Sequence, residues 1–396
     1  MTSTPYLKHV VYNSKCGLKV VMTKVSKHRK LYTLLKEEIL GGKYGVTCAF
    51  PSEAQLSRRC DCSRITVRKA LDELRHEGLI RCRQGRGTVV TEQATAKTFG
   101  LILPGVSRYE YFQPIATELA RIAQANHCAF LFANIDALEP DELRHNVREL
   151  AADFIKRRVS GVVYHPLEFQ SSDDTTNIDI VSVFKRAKIP VVLLDSDVVM
   201  PPAQSDFDVV SIDNALAAES LTNHLLSVGA RSVGIAMLPK MFPNMMERVR
   251  GVGNAMLMAG KTWSVSNVLM AAPSNIKAIR AFMKTHPRLD AFVCQNDALA
   301  ADYARALMKL GYSIPNDIMI AGFDGMDISR VMTPTLTTIR QPYVEIARMV
   351  FDMLVRRVKG SDCSPVRVFL SGKLIVRTST QRPIGKRISK RRAKCS

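Results

Sequence analysis

The sequence has no apolar run of the roughly 18–20 residues that a membrane-spanning helix needs. Its first 30 residues also lack the apolar stretch of a signal peptide, because the segment Val20-Val21-Met22 is too short. We therefore predict no membrane partner and expect a cytoplasmic protein.

The nine cysteines follow no regular framework. An odd number of cysteines without an export signal fits reduced thiols better than a disulfide scaffold. Cys60 and Cys62 do not have the spacing of a zinc site, and the simpler interpretation is two small side chains in a helix and a turn. We predict no metal site and no cofactor.

Motifs that would indicate an enzyme are also missing. The sequence contains no G-x-x-x-x-G-K-[ST], no H-E-x-x-H and no G-x-S-x-G. Gly251 and Gly253 lack the rest of a dinucleotide-binding fingerprint, and Asp297 has no evident catalytic partner. We therefore predict that the protein is not an enzyme and has no catalytic residues.

Positive charge is abundant but concentrated at the two ends. The net charge is +20, and residues 1–98 hold 19 Lys and Arg against 8 Asp and Glu. Residues 382–396 hold seven Lys and Arg and no acidic residue, whereas residues 99–381 hold 30 basic against 28 acidic residues. Such concentration favours neutralisation of nucleic-acid phosphates. For the basic tail itself, a solvated segment and a non-specific DNA contact both remain open.

Helical spacing and capping residues organise the first quarter of the sequence. Apolar residues stripe one face of residues 30–41, Ser52 is placed to cap a second helix, and Ser63 is placed to cap a third over about 64–77. Residues 79–90 predict a β-hairpin with a tight basic turn. Three helices followed by a hairpin make a winged helix-turn-helix domain.

The pattern changes at Phe99. From there, short all-apolar strands alternate with helices, for example at residues 161–164 and 190–194. This alternation predicts parallel sheets covered on both faces, and about 280 residues are too many for one such core. The predicted fold class is therefore α/β, with an N-terminal winged helix-turn-helix (α+β) followed by a two-lobed domain containing parallel sheets.

Five segments follow from these patterns. In chain order they are an N-terminal arm of undefined structure (1–28), the winged helix-turn-helix (29–90), a linker (91–98), a two-lobed α/β domain (99–382) and a basic tail (383–396).

Several linked motifs identify a family for the first domain. They are Phe50-Pro51-Ser52-Glu53, the run from Ser63 to Leu71, Glu77-Gly78-Leu79-Ile80 and the run from Arg83 to Thr88. With these motifs, residues 30–90 resemble the GntR winged helix, in which the third helix enters the major groove and the wing tip contacts the minor groove. By position, the resemblance implies DNA contacts from Ser63, Arg64, Ile65, Thr66 and Arg68 in the helix, and from Gln84 and Gly85 in the wing.

The side-chain chemistry agrees with these roles. Arg64 suits a bidentate contact to guanine, Ser63 and Thr66 suit phosphates, and Ile65 suits a thymine methyl. Arg68 and Arg86 are better suited to phosphate or groove-width contacts. The alternative for each arginine taken alone is an ordinary solvated side chain. One departure is Ala54, because many GntR proteins have a guanine-reading arginine at that position.

A second set of motifs covers residues 99–382. It includes Val210-Ser211-Ile212-Asp213-Asn214, Gln295-Asn296-Asp297, Gly322-Phe323-Asp324 and the run from Pro334 to Ile339. These residues resemble the regulatory domain of LacI/GalR repressors, which is built like a periplasmic sugar-binding protein. A GntR domain joined to a LacI-type sensor is the arrangement of arabinose-repressor (AraR)-like regulators.

The second resemblance implies that residues 99–382 form an effector-binding and dimerisation domain. Its ligand site would lie between two lobes, at the carboxyl ends of parallel strands. Its candidate residues are Tyr111, Phe112, Asp195, Arg248, Asn296 and Asp297. Aromatic faces with carboxylates, an amide and a guanidinium form the mixture that a sugar requires. The alternatives are core packing for the aromatic pair and interlobe salt bridging for Arg248 and Asp297. His165 is a weaker candidate, and Asp324 is more typical of a residue that orients a loop.

Together these features predict a ligand-responsive transcriptional regulator, a repressor of sugar-utilisation genes. Its partners would be a double-stranded DNA operator, a small-molecule effector (expected to be a sugar) and a second copy of the chain in a homodimer. Ligand binding would close the sensor and alter operator affinity through linkage. The alternative is a DNA-binding regulator whose sensor-like domain only dimerises and binds no ligand.

Overall fold

The computed structural model describes residues 6–13, 17–24, 26–40, 43–44, 50–83, 87–91, 97–103, 111–133, 135, 137, 139–169, 171, 174–239, 242–360 and 363–382. The chain forms two compact units that divide between Lys97 and Thr98, with the short segment 127–129 grouped with the first unit. None of the helices in the described ranges could span a bilayer, since each is too short or too polar.

The first unit begins with two antiparallel strands, β1 (Tyr6–Asn13) and β2 (Gly17–Lys24). They lie in the segment whose structure the sequence pattern leaves undefined. Three helices follow, α1 (Lys27–Leu40), α2 (Glu53–Cys60) and α3 (Arg64–His76), and then a hairpin of β3 (Ile80–Arg83) and β4 (Gly87–Val90). This is the three-helix and hairpin arrangement that the sequence predicts.

Local sequence determines where these helices begin. Ser52 caps α2 in a reciprocal capping box with Gln55, and Ser63 caps α3. The three helices bury a common core that includes Leu35, Leu56 and Leu71.

The second unit contains two six-stranded sheets, each in its own lobe. In chain order, the unit begins with β5 (Thr98–Ile102), α4 (Phe112–Ala125), β6 (Ala129–Phe132), α5 (Pro140–Lys156), β7 (Gly161–Tyr164), α6 (Thr176–Arg186), β8 (Val191–Leu194) and β9 (Asp208–Ile212). The next are α7 (Asn214–Ser227), β10 (Val233–Met237), α8 (Pro243–Met258), β11 (Val268–Met270), α9 (Ile276–Thr285), β12 (Ala291–Cys294), α10 (Asp297–Lys309), β13 (Met319–Asp324), α11 (Ile328–Val331) and β14 (Thr337–Arg340). The last are α12 (Tyr343–Val358), β15 (Arg367–Leu370) and β16 (Lys373–Ile375), with short 3-10 turns at Val265–Asn267 and Thr378–Thr380.

Strand order shows that the chain passes between the lobes three times. The first lobe has the order β15-β9-β8-β7-β5-β6, and the second has β11-β10-β12-β13-β14-β16. The chain crosses after β9, after β14 and between β15 and β16, while α12 returns to pack on α4 and on strands of the first lobe. The predicted α/β class with parallel sheets is confirmed. Among the strand pairings that the structure describes in these two sheets, only that of β14 with β16 is antiparallel.

Each lobe buries its own apolar core. Phe154, Tyr164 and Phe184 fill the first, and Phe292 and Tyr303 fill the second. Both sheets therefore present the carboxyl ends of their parallel strands from a rigid base, as open α/β sheets do at their binding sites.

Candidate functional site

The start of α3 is the part of the first unit that the sequence assigns to DNA. The Ser63 Oγ accepts a hydrogen bond from the Thr66 backbone N–H at 3.2 Å and lies 2.8 Å from the Thr66 Oγ1. The two hydroxyls that the sequence assigns to phosphates are thus bonded to each other in the DNA-free chain. Their bond fixes the first turn of the helix, whose positive dipole end favours anions.

One face of α3 is buried and the other is open. Val67 and Leu71 are buried, whereas Arg64, Ile65 and Arg68 are exposed. Ile65 is 72% exposed although it is apolar. Within the described part of the chain, no hydrogen bond or ion pair engages the Arg64 guanidinium. This face has the guanidinium and the apolar tip that contact base edges in a major groove.

The Arg68 guanidinium, unlike that of Arg64, is bound to a carboxylate of the protein. It donates to the Glu53 carboxylate at 3.3 and 3.5 Å, which links the start of α2 to the second turn of α3. This ion pair was not predicted from the sequence. The pair is exposed, so a phosphate could share or replace the carboxylate at little cost.

The wing residues are only partly described. The β3–β4 pairing runs to Arg83 and Gly87, while Gln84, Gly85 and Arg86 lie outside the described residues. Arg81 and Arg83 on β3 are exposed and add two cations beside the predicted wing contacts.

The second unit contains a cavity of about 640 Å³ between its two lobes. This volume lies in the roughly 300–1,000 Å³ range of small-molecule sites. The groups that meet there follow strand ends: His165 comes after β7, Asp195 after β8, Asn296 after β12, and Asp324 closes β13. Aromatic, acidic, amide and basic side chains line this cavity, among them Tyr111, Phe112, His165, Asp195, Asn244, Arg248, Asn296, Asp324 and Gln341.

Five of the six residues predicted from the sequence lie on this cavity: Tyr111, Phe112, Asp195, Arg248 and Asn296. Asn296 reaches it from the N-cap of α10, where its side chain accepts from the Leu299 N–H.

Asp297 does not line the cavity. It is fully buried, and its carboxylate accepts from the Thr338 hydroxyl at 2.6 Å and from the Met326 N–H at 2.7 Å. Burial raises the pKa of Asp297 well above its usual value, and the nearby Asp324 adds to this, against the two hydrogen bonds. In this structure the side chain orders the loop after β13 through these two bonds, and the ion pairs of the described residues do not include it.

Aromatic rings form one wall of the cavity. Tyr111 packs edge-on against Phe112 with centroids 5.0 Å apart and against Tyr343 at 5.6 Å, and Phe112 packs edge-on against His165 at 4.7 Å. Tyr111 and Phe112 therefore pack against neighbouring rings and also line the cavity, so the two interpretations of this pair are compatible.

Two carboxylates face the cavity from opposite lobes. Asp195 accepts from Asn244 Nδ2 at 2.7 Å and lies 3.6 Å from His165 Nε2. Asp324 accepts from Gln341 Nε2 at 2.8 Å. Both residues have positive φ, 67° for Asp195 and 98° for Asp324. Strained non-glycine backbone of this kind concentrates at functional sites.

The two carboxyl groups differ in pKa. Burial alone would raise the pKa of Asp195, but His165, Arg248 and Asn244 together hold it below its usual value. Burial raises the pKa of Asp324 to about 6, against the opposing effects of Arg248 and Gln341. Asp195 is thus ionised at neutral pH, whereas Asp324 titrates just below it.

Arg248 is held by the protein itself. It is buried, its Nε donates to Asn214 Oδ1 at 2.8 Å, its Nη1 donates to the Gln295 carbonyl, and its guanidinium stacks 4.1 Å from the Phe323 ring centroid. Its charge lowers the pKa of both Asp195 and Asp324. Arg248 therefore compensates the two carboxylates that face the cavity.

Unpaired polar atoms cluster on the cavity wall. Among the described residues, these buried atoms have no hydrogen-bond partner: Tyr111 Oη, His165 Nδ1, Asp195 Oδ1, Asn244 Oδ1 and Gln341 Oε1. Buried polar atoms are normally paired, so a cluster of unpaired ones indicates a site that a ligand completes.

Two of these residues were missed from the sequence. Asn244 lies one helical turn before Arg248 on α8, a spacing that places both on one face and could have indicated it. Gln341 follows β14, a strand that the sequence analysis did not predict, so no signal pointed to it.

Comparison with known proteins agrees with this division of the chain. Residues 27–90 match the family model "Bacterial regulatory proteins, gntR family", and residues 222–380 match "Periplasmic binding protein-like domain". This chain joins a GntR-type winged helix to a periplasmic-binding-protein-like domain. The resemblances drawn from the sequence motifs are confirmed.

The relatives that this chain resembles in sequence include proteins named as transcriptional repressors. The chain is 26% identical to the arabinose metabolism transcriptional repressor of Geobacillus stearothermophilus, over 88% of this chain and 97% of that protein. It is 25% identical to the ribose operon repressor of Halalkalibacterium halodurans, over 72% and 80%.

Solved structures share the fold. The CelR–cellobiose complex aligns with a TM-score of 0.62 and 21% identity, covering 88% of this chain and 98% of that one. The regulator CcpA of Lactococcus lactis aligns with a TM-score of 0.61 and 23% identity, covering 72% and 99%.

Proposed function

We propose that this protein is a DNA-binding transcriptional repressor of sugar-utilisation genes, and that a sugar bound in the interlobe cavity alters its affinity for the operator. The observation that carries the proposal is the cluster of unpaired buried polar atoms between the lobes of a chain that also has a GntR-type winged helix. Relatives named for arabinose and ribose operons, and a cellobiose complex of the same fold, support a sugar as the effector.

Opposite lobes supply the groups that a ligand would bridge. Asp195 belongs to the first lobe, whereas Asn244 and Arg248 belong to the second, and Asn244 already bonds Asp195 across the cavity. A ligand that binds both lobes stabilises the closed state, because it interacts better with that state than with an open one. In a homodimer, this closure would alter the spacing of the two DNA-binding domains, with a coupling of about 1–3 kcal/mol.

The proposal keeps the DNA contacts and the domain boundaries that were predicted from the sequence. We assign DNA contacts to Ser63, Arg64, Ile65, Thr66 and Arg68 and to wing residues 84–86, and we place the boundaries of the DNA-binding domain and the sensor at 29–90 and 99–382. The cytoplasm is the compartment in which such a regulator acts.

The proposal is tested with the full chain and a duplex that it selects from a random DNA pool. Gel-shift titrations are repeated in the presence of uncharged sugars such as L-arabinose, D-ribose and cellobiose. We expect at least one sugar to change the operator dissociation constant by roughly 5–150-fold. A duplex bound specifically but indifferent to every sugar would instead favour the alternative, in which the sensor-like domain only dimerises.

Arg64→Ala should weaken binding to the selected duplex more than binding to random DNA. A bidentate arginine–guanine contact contributes roughly 1–3 kcal/mol of base discrimination, whereas a phosphate contact contributes equally on any sequence. We expect a loss of about 5–150-fold on the selected duplex and a much smaller loss on random DNA. Competition gel shifts measure both.

Arg75→Ala is the matched control, because Arg75 lies in the last turn of the same helix, paired with Asp72. Specificity should be unchanged in this variant. An equal loss on both DNAs for Arg64→Ala would mean that Arg64 contacts only phosphate.

A further inference from the structure

We propose that the interlobe cavity selects an uncharged, hydroxyl-rich sugar and rejects phosphorylated or acidic sugars. The inference rests on the proposed function, in which this cavity takes a sugar effector, and it specifies the chemical class of that sugar. It follows from the orientation of two amides, from the acceptors that this orientation leaves, and from the pairing of the nearby cations.

Two carboxylates fix the orientation of two amides on the cavity wall. Asn244 donates its Nδ2 to Asp195, and Gln341 donates its Nε2 to Asp324. Rotating either amide by 180° would place a carbonyl oxygen against a carboxylate oxygen, so the assignment of oxygen and nitrogen is determined by the contact. The Asn244 Oδ1 and Gln341 Oε1 are consequently the atoms left without a partner among the described residues.

The unpaired atoms are mainly acceptors. Asn244 Oδ1, Gln341 Oε1 and Asp195 Oδ1 accept hydrogen bonds only, while the Tyr111 hydroxyl and the His165 Nδ1 are able to donate or accept. The pKa of Asp195 lies below its usual value, which keeps this carboxyl ionised and therefore acceptor-only. Gln341 and Asp195 are only 3% and 7% exposed, so bulk water does not satisfy them.

Each arginine among the described residues of the cavity wall already contacts the protein. The buried Arg144 bonds Asp174 at 2.9 Å, and the buried Arg248 donates its Nε to Asn214 and its Nη1 to the Gln295 carbonyl. Arg305 pairs with Asp302 on its own helix, and this pair is exposed. Among the lining residues that the structure describes, five are acidic and three are arginines; the acidic ones are Glu139, Glu168, Asp195, Asp302 and Asp324. The His165 imidazole faces the Asp195 carboxylate.

The ligand must therefore supply donors. Each sugar hydroxyl donates one proton and also accepts, so several hydroxyls would satisfy the three acceptors and engage Tyr111 and His165. A phosphate or carboxylate group would set its lone pairs against these acceptor oxygens, and it would lose hydration beside described lining residues among which the acidic side chains outnumber the arginines. Charge and hydrogen-bond capacity thus point to the same ligand class.

Matched sugar pairs test this selectivity by calorimetric titration of the full chain at pH 7.5. The pairs are D-ribose and ribose 5-phosphate, L-arabinose and arabinose 5-phosphate, and D-glucose with both glucose 6-phosphate and gluconate. We expect any sugar that binds to lose at least roughly tenfold in affinity when it carries the anionic group. Tighter binding of a phosphorylated or acidic member would overturn the inference and leave the proposed function standing. Silence across every pair would overturn both.

Asp195→Asn tests the ionised acceptor on the cavity wall. Asparagine tolerates positive φ and keeps the shape, but it replaces an ionised acceptor by an amide that also donates. We expect the uncharged sugar to bind at least roughly tenfold more weakly and the preference over its phosphorylated partner to narrow. Equal weakening of both members would count against the inference.

Asp206→Asn is the matched control, because the Asp206 side chain is 82% exposed and its variant should bind sugars normally. Asn244→Ala removes an acceptor contributed by the other lobe and leaves Asp195 in place. If Asp195→Asn fails to fold by thermal melting, the same narrowing of preference is required of Asn244→Ala, and its absence would contradict the inference.

Discussion

Replacing Arg248 by alanine is expected to lower the unfolding free energy of the second unit by about 3–5 kcal/mol and to abolish the sugar response. The side chain is 5% exposed, and its charge lowers the pKa of both Asp195 and Asp324. Its loss leaves two desolvated carboxylates without their cation and removes the bonds to Asn214 and Gln295. Breaking one side of a buried charge cluster is costly because the other side stays buried.

The loss of unfolding free energy in the Arg248→Ala variant should increase with pH. Arg248 lowers the folded-state pKa of both aspartates, so its removal raises those values. A carboxyl with a raised folded-state pKa loses stability as pH rises through that value. We therefore expect the Arg248→Ala variant to be closer to the wild type at pH 5 than at pH 8 in denaturant unfolding followed by circular dichroism.

Arg250→Ala is the control on the same helix, since the Arg250 side chain is 63% exposed and pairs only locally with Glu247. It should change the unfolding free energy by less than about 0.5 kcal/mol. A similar small loss for Arg248→Ala, with no pH dependence, would show that the guanidinium does not compensate the two carboxylates.

Local patterns were enough to predict the DNA-binding region. The Ser52 and Ser63 caps, the apolar face of α3 and the hairpin all depend on residues within a few positions of one another. The pairing of Arg68 with Glu53 was not predictable in this way, because it requires the angle between α2 and α3, which the sequence pattern does not contain.

Only some of the residues that line the cavity could be predicted from the sequence. Tyr111, Asp195 and Arg248 were found because they follow predicted strands or match family positions. Gln341 lies at the second chain crossing, after a strand that was not predicted, and its role depends on contact with Asp324, 17 positions away. Motif position placed Asp297 at the ligand, yet the fold turns its carboxylate towards Thr338 and Met326. Such orientations depend on tertiary packing.

Asp324→Asn is expected to stabilise the ligand-free protein by about 3 kcal/mol at pH 7–8. The pKa of Asp324 rises from its ordinary 3.8 to about 6 because the group is buried. The folded state then binds the proton more tightly than the unfolded state, so stability is lost as pH rises from about 4 to about 6, and the whole penalty remains at higher pH. Asparagine has no charge to desolvate, tolerates φ of 98° and still accepts from Gln341.

Thermal melts from pH 4 to pH 8 measure this gain. The difference from wild type should vanish near pH 4 and reach its full value above pH 6, while Asp206→Asn should show no such trend. A variant that is less stable than wild type at pH 8 would mean that the ionised carboxylate is favourable in place, against the burial argument. Higher stability together with weaker sugar binding would mean that Asp324 destabilises the ligand-free protein but contributes to ligand binding. The positive φ and the desolvated charge of Asp324, on the wall opposite Asp195, are consistent with that role.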